Sequence, residues 1–355
     1  MSLGFEDHDL GPQERQNLLD ALFLDGIGDG GGQPCHTRVE ESHLLDTRRN
    51  RLLVRGGQFL VELLAGTKLR YDDVTDRTRI DEIFSRQRPS RVFHAAAYKH
   101  VPMLEEHPLA AVHNNVIGTW LVAKAAGKYR AERFILVSTD KAVRPANVMG
   151  ATKRIAEQVT LHLQDSFPET AFGAVRFGNV LGSNGSVITL FKSQLEAGEP
   201  LTVTHEDVTR FFMTIPEAVQ LILQASLLPK IKGGIAMLEM GRPVPILELA
   251  KNLLRLSGKG ARVGRDIVIT GLRPGEKLHE ELAAPDEKAI PTGIEKVTLL
   301  DTSVAQLPDS IADAIEEERI EDVMTYLRAE IIVVDPEAEV ALDGEKPLAQ
   351  MVGSD

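Results

Sequence analysis

The chain has 355 residues, enough for two domains or one large interleaved one, and 43% of them are hydrophobic, enough to bury a sizeable core. A formal net charge of −12 speaks against general binding to nucleic acid, whose phosphates it would repel. The single cysteine, Cys35, excludes an internal disulfide framework and a cysteine-rich zinc site, and fits a reducing compartment.

Residues 1–68 are the least legible part of the chain. They open on an acidic, polar MSLGFEDHDLGPQERQN that is unlike a signal peptide. The run Gly26-Ile27-Gly28-Asp29-Gly30-Gly31-Gly32 is glycine-rich, but QPCHTRVEE follows it instead of the apolar helix that a phosphate-cradling turn needs. Its alternative reading is a flexible linker. Gly56-Gly57, after RLLV, is a second candidate turn and also lacks the spacing.

From Leu69 to Glu281 the pattern is regular. Arg91–Ala97 reads as a buried strand, Leu109–Ala126 as a helix, Arg133–Ser138 as a strand, Val148–Leu163 as a helix and Ala171–Arg176 as a strand. Helices are expected at Val187–Ala197, Ile215–Leu227 and Ile246–Leu256, and strands at Pro200–Val203, Ile235–Glu239 and Asp266–Thr270. Apolar strands alternating with helices predict an α/β fold with a parallel sheet covered on both faces. Ligands of such sheets sit at the carboxyl ends of the strands. Asp309–Arg328 has the spacing of one further helix, and Asp335–Asp355 is an acidic tail. No run of about 18 apolar residues is present, so no membrane span is expected.

The chemistry-bearing residues follow the strands. Thr139-Asp140-Lys141, directly after RFILVS, presents a hydroxyl, a carboxylate and an amine together; a turn with a helix cap is the plainer reading. Met149 and Lys153 share one helix face, four residues apart, although a lysine on a helix is most often solvated and a methionine most often core. Asn115 lies in or at the start of the preceding helix. Arg176 and Asn179 follow a strand, and Arg210 and Arg273 offer the planar fork that suits phosphate. Pro274-Gly275 alone reads as a turn. His94, His100 and His107 lack metal-ligand spacing, so no metal site is expected.

Six blocks occur in order: FHAAAYKHVPMLEEHP, NNVIGT, VSTDKAVRPANVMGATKRIAE, VRFGNVLGSNGSVITLFKSQ, PLTVTHEDVTRFFMTIPEA and GLRPGEKLHEEL. Together they resemble the CapD-like polysaccharide-biosynthesis nucleotide-sugar 4,6-dehydratases, a branch of the extended short-chain dehydrogenase/reductase superfamily, over residues 69–285. The resemblance implies a Rossmann-like doubly wound parallel sheet with a smaller C-terminal substrate-binding subdomain. It also implies that the N-terminal strand–helix unit is abnormal or missing here, so that the fold lacks its first strands. The implied organisation is an unrecognised segment 1–68, a Rossmann-like core 69–180 to which 204–240 returns, a substrate subdomain from 181–203 and 241–300, and an acidic helix and tail 301–355.

The implied reaction converts UDP-N-acetylglucosamine to a 4-keto-6-deoxy sugar with NAD or NADP: oxidation at C4, loss of water across C5 and C6, and hydride return to C6. Thr139 would hold the C4 oxygen, Asp140 protonate the C6 hydroxyl, Lys141 take the C5 proton and Lys153 hold the nicotinamide ribose. Asp73 and Val74 would meet adenine. Ala95, Ala96 and Ala97 would let the backbone approach the cofactor, with Lys99 and Asn115 beside it. Lys99, Arg176, Asn179, Arg210, Arg273 and Glu276 would contact the UDP-sugar. Most of the superfamily has Tyr four residues before the lysine; Met149 matches the dehydratase branch and disfavours an epimerase. A cytoplasmic location and a homo-oligomer are the further expectations. The competing readings are a UDP-sugar epimerase and a catalytically disabled nucleotide-sugar-binding protein.

Overall fold

The computed structural model describes residues 72–183, 185–301 and 306–332, together with the backbone of 51–55. Both glycine-rich candidates and the acidic tail lie outside the described residues, as does nearly all of the segment 1–68.

In chain order the elements are β1 (Arg51–Arg55), α1 (Arg77–Gln87), β2 (Arg91–Ala95), α2 (Val101–Glu106), α3 (Pro108–Ala111), a π-helical segment (Val112–Ile117), α4 (Gly118–Lys128), β3 (Arg133–Val137), α5 (Val148–Ser166) and β4 (Ala171–Arg176). Next come β5 (Asn179–Val180), α6 (Val187–Ala197), β6 (Leu201–Val203), β7 (Thr209–Arg210), β8 (Phe212–Met213), α7 (Ile215–Leu227) and β9 (Gly234–Leu238). The last are β10 (Val244–Pro245), α8 (Ile246–Leu256), β11 (Ile267–Ile269), β12 (Ala289–Pro291), β13 (Val297–Leu300), α9 (Asp309–Glu316) and α10 (Ile320–Glu330).

The main sheet runs β1-β2-β3-β4-β9-β13-β12. Pairing is parallel from β1 through β9 and antiparallel at β13 and β12, so the sheet is parallel-dominated, as the Rossmann-like expectation requires. Of the N-terminal segment the structure describes one strand, β1, paired in parallel with β2.

Side chains alternate across the sheet with the two-residue period of a strand. On β3, Phe134 and Leu136 join the apolar cluster that holds Val122 of α4 and Ile155 and Val159 of α5. Ile135, between them, faces the cluster built with Ala218, Val219 and Ile222 of α7. Helices therefore cover both faces. A third cluster, Phe191, Leu201, Val203, Ile246, Ala250, Leu254 and Ile267, is the core of α6, β6, α8 and β11.

Two helices differ from expectation. The helix expected over Leu109–Ala126 is interrupted by the π-helical segment, a geometry that is uncommon and often functional. The single helix expected over Asp309–Arg328 is two, because Glu318 takes a left-handed backbone (φ 54°) between α9 and α10.

Candidate active site

The loop after β3 is fixed on both sides. Asp140 N donates to Phe177 O (2.9 Å), and Ser138 N to Val175 O (2.8 Å), tying it to the end of β4. Asn147 caps α5 by accepting from Gly150 N at 2.8 Å. Between these anchors Thr139, Asp140 and Lys141 come together. Asp140 is 0% exposed; its Oδ1 accepts from Thr139 Oγ1 (2.8 Å) and Lys141 Nζ (2.9 Å). Its Oδ2 is buried without a hydrogen-bond partner among the described residues and lies against Gly178, where a Cβ would come within 3.2 Å of it and 2.9 Å of Phe211 Cβ. Gly178 is thus a close approach of backbone to the Asp140 carboxylate.

Lys141 Nζ also donates to Asn179 Oδ1 (3.3 Å) and pairs with Glu280 Oε1 (3.6 Å). Burial works against its charge, but Asp140 and then Glu280 outweigh burial and the opposing Arg210, so the ammonium is held above the ordinary lysine range. Lys153, one turn after the buried Met149, donates from Nζ to Val137 O at 2.7 Å. Burial lowers its pKa to about 8, with Glu157 partly offsetting the effect.

The structure places the expected cofactor residues as follows. Ala95 ends β2, Ala96 is buried beside it and Ala97 half-buried, next to the strand end that Lys153 reaches. Among the described residues the buried Lys153 ammonium uses one acceptor, leaving two of its three N–H groups for ribose hydroxyls. Small side chains and an underused buried cation at neighbouring strand ends fit the nicotinamide–ribose half of a dinucleotide. Asn115 spends its amide inside the protein: Oδ1 accepts from Tyr98 N (2.7 Å), and Nδ2 donates to Tyr98 O (3.1 Å) and Thr152 Oγ1 (2.9 Å). It therefore pins the loop after β2 to α5 from within the π-helical segment. Lys99 is exposed on that loop. Asp73 is exposed and accepts from Thr75 N and Oγ1 in a turn. The Val74 side chain is core, 1% exposed and packed on Gly118, so an adenine contact at this position falls to the backbone.

Arg176 is the main correction among the substrate residues. It is 0% exposed, paired with Glu157 (Nε–Oε1 3.0 Å, Nη2–Oε2 2.8 Å) and Glu287 (Nη1–Oε2 2.7 Å). Its guanidinium is spent on an internal ion network in which Glu157 also accepts from Ser138 Oγ (2.5 Å). Arg210 is largely buried, paired with Glu276 (3.0 Å) and donating to Leu278 O (3.1 Å) and Lys277 O (3.0 Å). Glu276 also accepts from Thr204 Oγ1 (2.9 Å), while Arg273 is exposed.

The stretch 275–281 is stitched to the loop between β3 and α5. Asn147 Nδ2 donates to Gly275 O (2.8 Å), Lys277 Nζ to Val143 O (3.0 Å), and Arg144 pairs with Glu281 (2.5 Å). Gly275 has φ +72° and its Cα sits so near Ala146 that a Cβ would fall 2.8 Å from that carbonyl oxygen, so the turn needs glycine on both counts. Sequence reasoning missed Glu280 and Glu157 as partners of the two lysines. Glu280 stood inside the GLRPGEKLHEEL block, and Glu157 one turn after Lys153, which was a usable signal. Among the described residues no group of three or more His, Cys, Asp or Glu side chains is placed to hold a metal, and no helix is long and apolar enough to cross a membrane.

The family model described as polysaccharide biosynthesis protein matches residues 58–302. The chain belongs to that family. Within and around it, the chain is 55% identical over 216 residues to the capsular polysaccharide biosynthesis protein CapD of Staphylococcus aureus, covering 61% of this chain and 36% of that one. The chain thus spans about a third of that relative's length. It is 36% identical over 275 residues to a UDP-glucose 4-epimerase of Rickettsia rickettsii, covering 76% of this chain and 78% of that one. The solved structure of Pen from Bacillus thuringiensis superposes with a TM-score of 0.60 at 32% identity, over 67% of this chain and 73% of that one. The Rossmann-type sheet is shared with these family neighbours.

Proposed function

We propose that the chain is a nucleotide-sugar-modifying enzyme that uses a nicotinamide dinucleotide and, more narrowly, a 4,6-dehydratase acting on UDP-N-acetylglucosamine. One observation carries the narrower reading: Asp140 and Lys141 form a hydrogen-bonded acid–base pair, with the buried Asp140 Oδ2 left without a partner among the described residues. An elimination needs both a base at C5 and an acid at C6, and this pair supplies them on one turn.

A bound dinucleotide would supply the hydride acceptor at C4 and the hydride donor at C6. Lys153 and the Ala95–Ala97 backbone would hold its nicotinamide end. The chain's own residues would handle the protons. Thr139 would hold the C4 oxygen; Met149, a thioether, has no proton to exchange there. The ion pair Asp140⁻/Lys141⁺ and the form with a neutral amine and a protonated carboxyl differ by one proton moved along the 2.9 Å hydrogen bond. In the second form Lys141 takes the C5 proton and Asp140 gives its proton to the C6 oxygen, which departs as water. Lys141 then returns a proton to C5. The sum balances: the C4 hydroxyl gives up one proton, the water carries one away, and C5 regains the one it lost. Thr139 donates to Asp140 Oδ1 and would also hold the C4 oxygen, linking the source of that proton to the acid that consumes it.

The relative named as a UDP-glucose 4-epimerase supports a second reading, epimerisation at C4. That chemistry has no use for a C6 acid. Incubation with UDP-N-acetylglucosamine and NAD or NADP separates the two: dehydration lowers the sugar nucleotide's mass by one water, whereas epimerisation leaves it unchanged. The organisation into a Rossmann-like core and a substrate subdomain around α6, β6, α8 and β11 is part of the same proposal. Cytoplasmic residence and self-association are further expectations of it.

A further inference from the structure

Resting on the dehydratase reading, we propose that Glu280 is a positioning residue for Lys141, the second carboxylate that stabilises its ammonium when Asp140 is uncharged. The groups facing Lys141 come from four places. Asp140 belongs to its own turn (2.9 Å), Asn179 to β5 (3.3 Å), Arg210 to β7 and Glu280 to the stretch 275–281 (3.6 Å). Asn179 carries no charge and Arg210 repels the ammonium. Once Asp140 carries a proton, Glu280 is the remaining anion in this set.

The elimination passes through such a moment. When Lys141 has accepted the C5 proton and Asp140 has not yet given its own to the C6 oxygen, a new ammonium stands beside a neutral acid. Creating that charge in a largely buried place is costly unless an opposite charge is already in position. Glu280 is in position: its side chain is 5% exposed, and its segment is held by the Lys277–Val143, Asn147–Gly275 and Arg144–Glu281 contacts. Opposite charge at this range favours the protonated lysine, in line with the raised Lys141 pKa. Glu280 thereby makes Lys141 a stronger base for C5 without touching the sugar.

The test has one readout that needs no turnover. In protein carrying ¹³Cε-lysine, the Lys141 signal, assigned by its loss in Lys141→Met, is titrated in wild type, Glu280→Gln and Glu280→Asp. The midpoint is expected to fall by about one pH unit or more in Glu280→Gln and to recover in part in Glu280→Asp. An unchanged midpoint in folded Glu280→Gln overturns the proposal. Turnover supplies the second readout. Glu280→Gln should lower kcat with little change in KM and enlarge the isotope effect with C5-deuterated substrate; a lower kcat with an unchanged isotope effect contradicts the role. If wild type itself removes no water, the dehydratase reading fails, and the titration still reports on the pairing.

Discussion

Lys141 Nζ lies 2.9 Å from Asp140 Oδ1, so two neighbours in the chain are also acid–base partners in space. Neighbouring side chains in an extended strand point to opposite faces. Here the short 3₁₀ turn at Asp140–Ala142 lets both turn to the same side. Asp140→Asn keeps the size and removes the titratable carboxyl group. It should lower the dehydration rate by about 10²–10⁴-fold while the bound sugar nucleotide still titrates. Lys141→Ala should do the same. Equal rates for wild type and Asp140→Asn would rule out the acid.

Lys153 is a cation only below about pH 8, because burial lowers its pKa from the ordinary 10.5. As pH rises through that value the side chain becomes neutral and keeps its hydrogen-bonding atoms but loses its charge. Affinity for a nicotinamide dinucleotide, followed by fluorescence titration, should therefore weaken above pH 8. Lys153→Arg, which stays charged, should flatten the profile. Glu157→Gln removes the group that favours the charge, so its loss of affinity should begin at lower pH.

Arg176 joins β4 to α5 and the 280s through Glu157 and Glu287. Arg176→Leu removes the closest cation from two buried carboxylates, leaving them Arg154 at 3.5–3.6 Å, and should destabilise the fold by about 3–5 kcal/mol, read by urea unfolding. If folded variant is recovered at low temperature, its KM for the sugar nucleotide should stay near wild type. A large rise in KM with unchanged stability would return Arg176 to the substrate site.

Gly275→Ala combines a left-handed backbone with a Cβ pressed on the Ala146 carbonyl. The expected cost is about 1–3 kcal/mol, together with a looser 275–281 stretch and a weaker effect of Glu280 on Lys141. A neutral substitution in both respects would show that the turn is not held as described.

The helices α6, α7 and α8 were legible to the residue, because their apolar spacing is regular and their ends are marked; Thr214 caps α7 and accepts from Glu217 N. The π-helical segment was not, since VHNNVI continues the helical spacing, and the bonds that Asn115 makes from the widened turn to Tyr98 and Thr152 are long-range. The antiparallel β13 and β12 are short and carry no pattern that sets their direction. At the site, Thr139, Asp140 and Lys141 were adjacent in sequence and therefore visible as a group. Arg176 was misread because an arginine after a strand reads the same whether it meets a ligand or a buried glutamate. What decides is Glu157 and Glu287, 19 and 111 residues away along the chain.

The most direct test of the acid–base pair is mass spectrometry of UDP-N-acetylglucosamine incubated with the purified protein and NAD or NADP, beside Asp140→Asn and Lys141→Ala. Wild type should yield a product lighter by one water, and either variant should leave the substrate unchanged. A folded wild type that binds the sugar nucleotide and dinucleotide yet returns the substrate at its original mass would contradict the role of the pair.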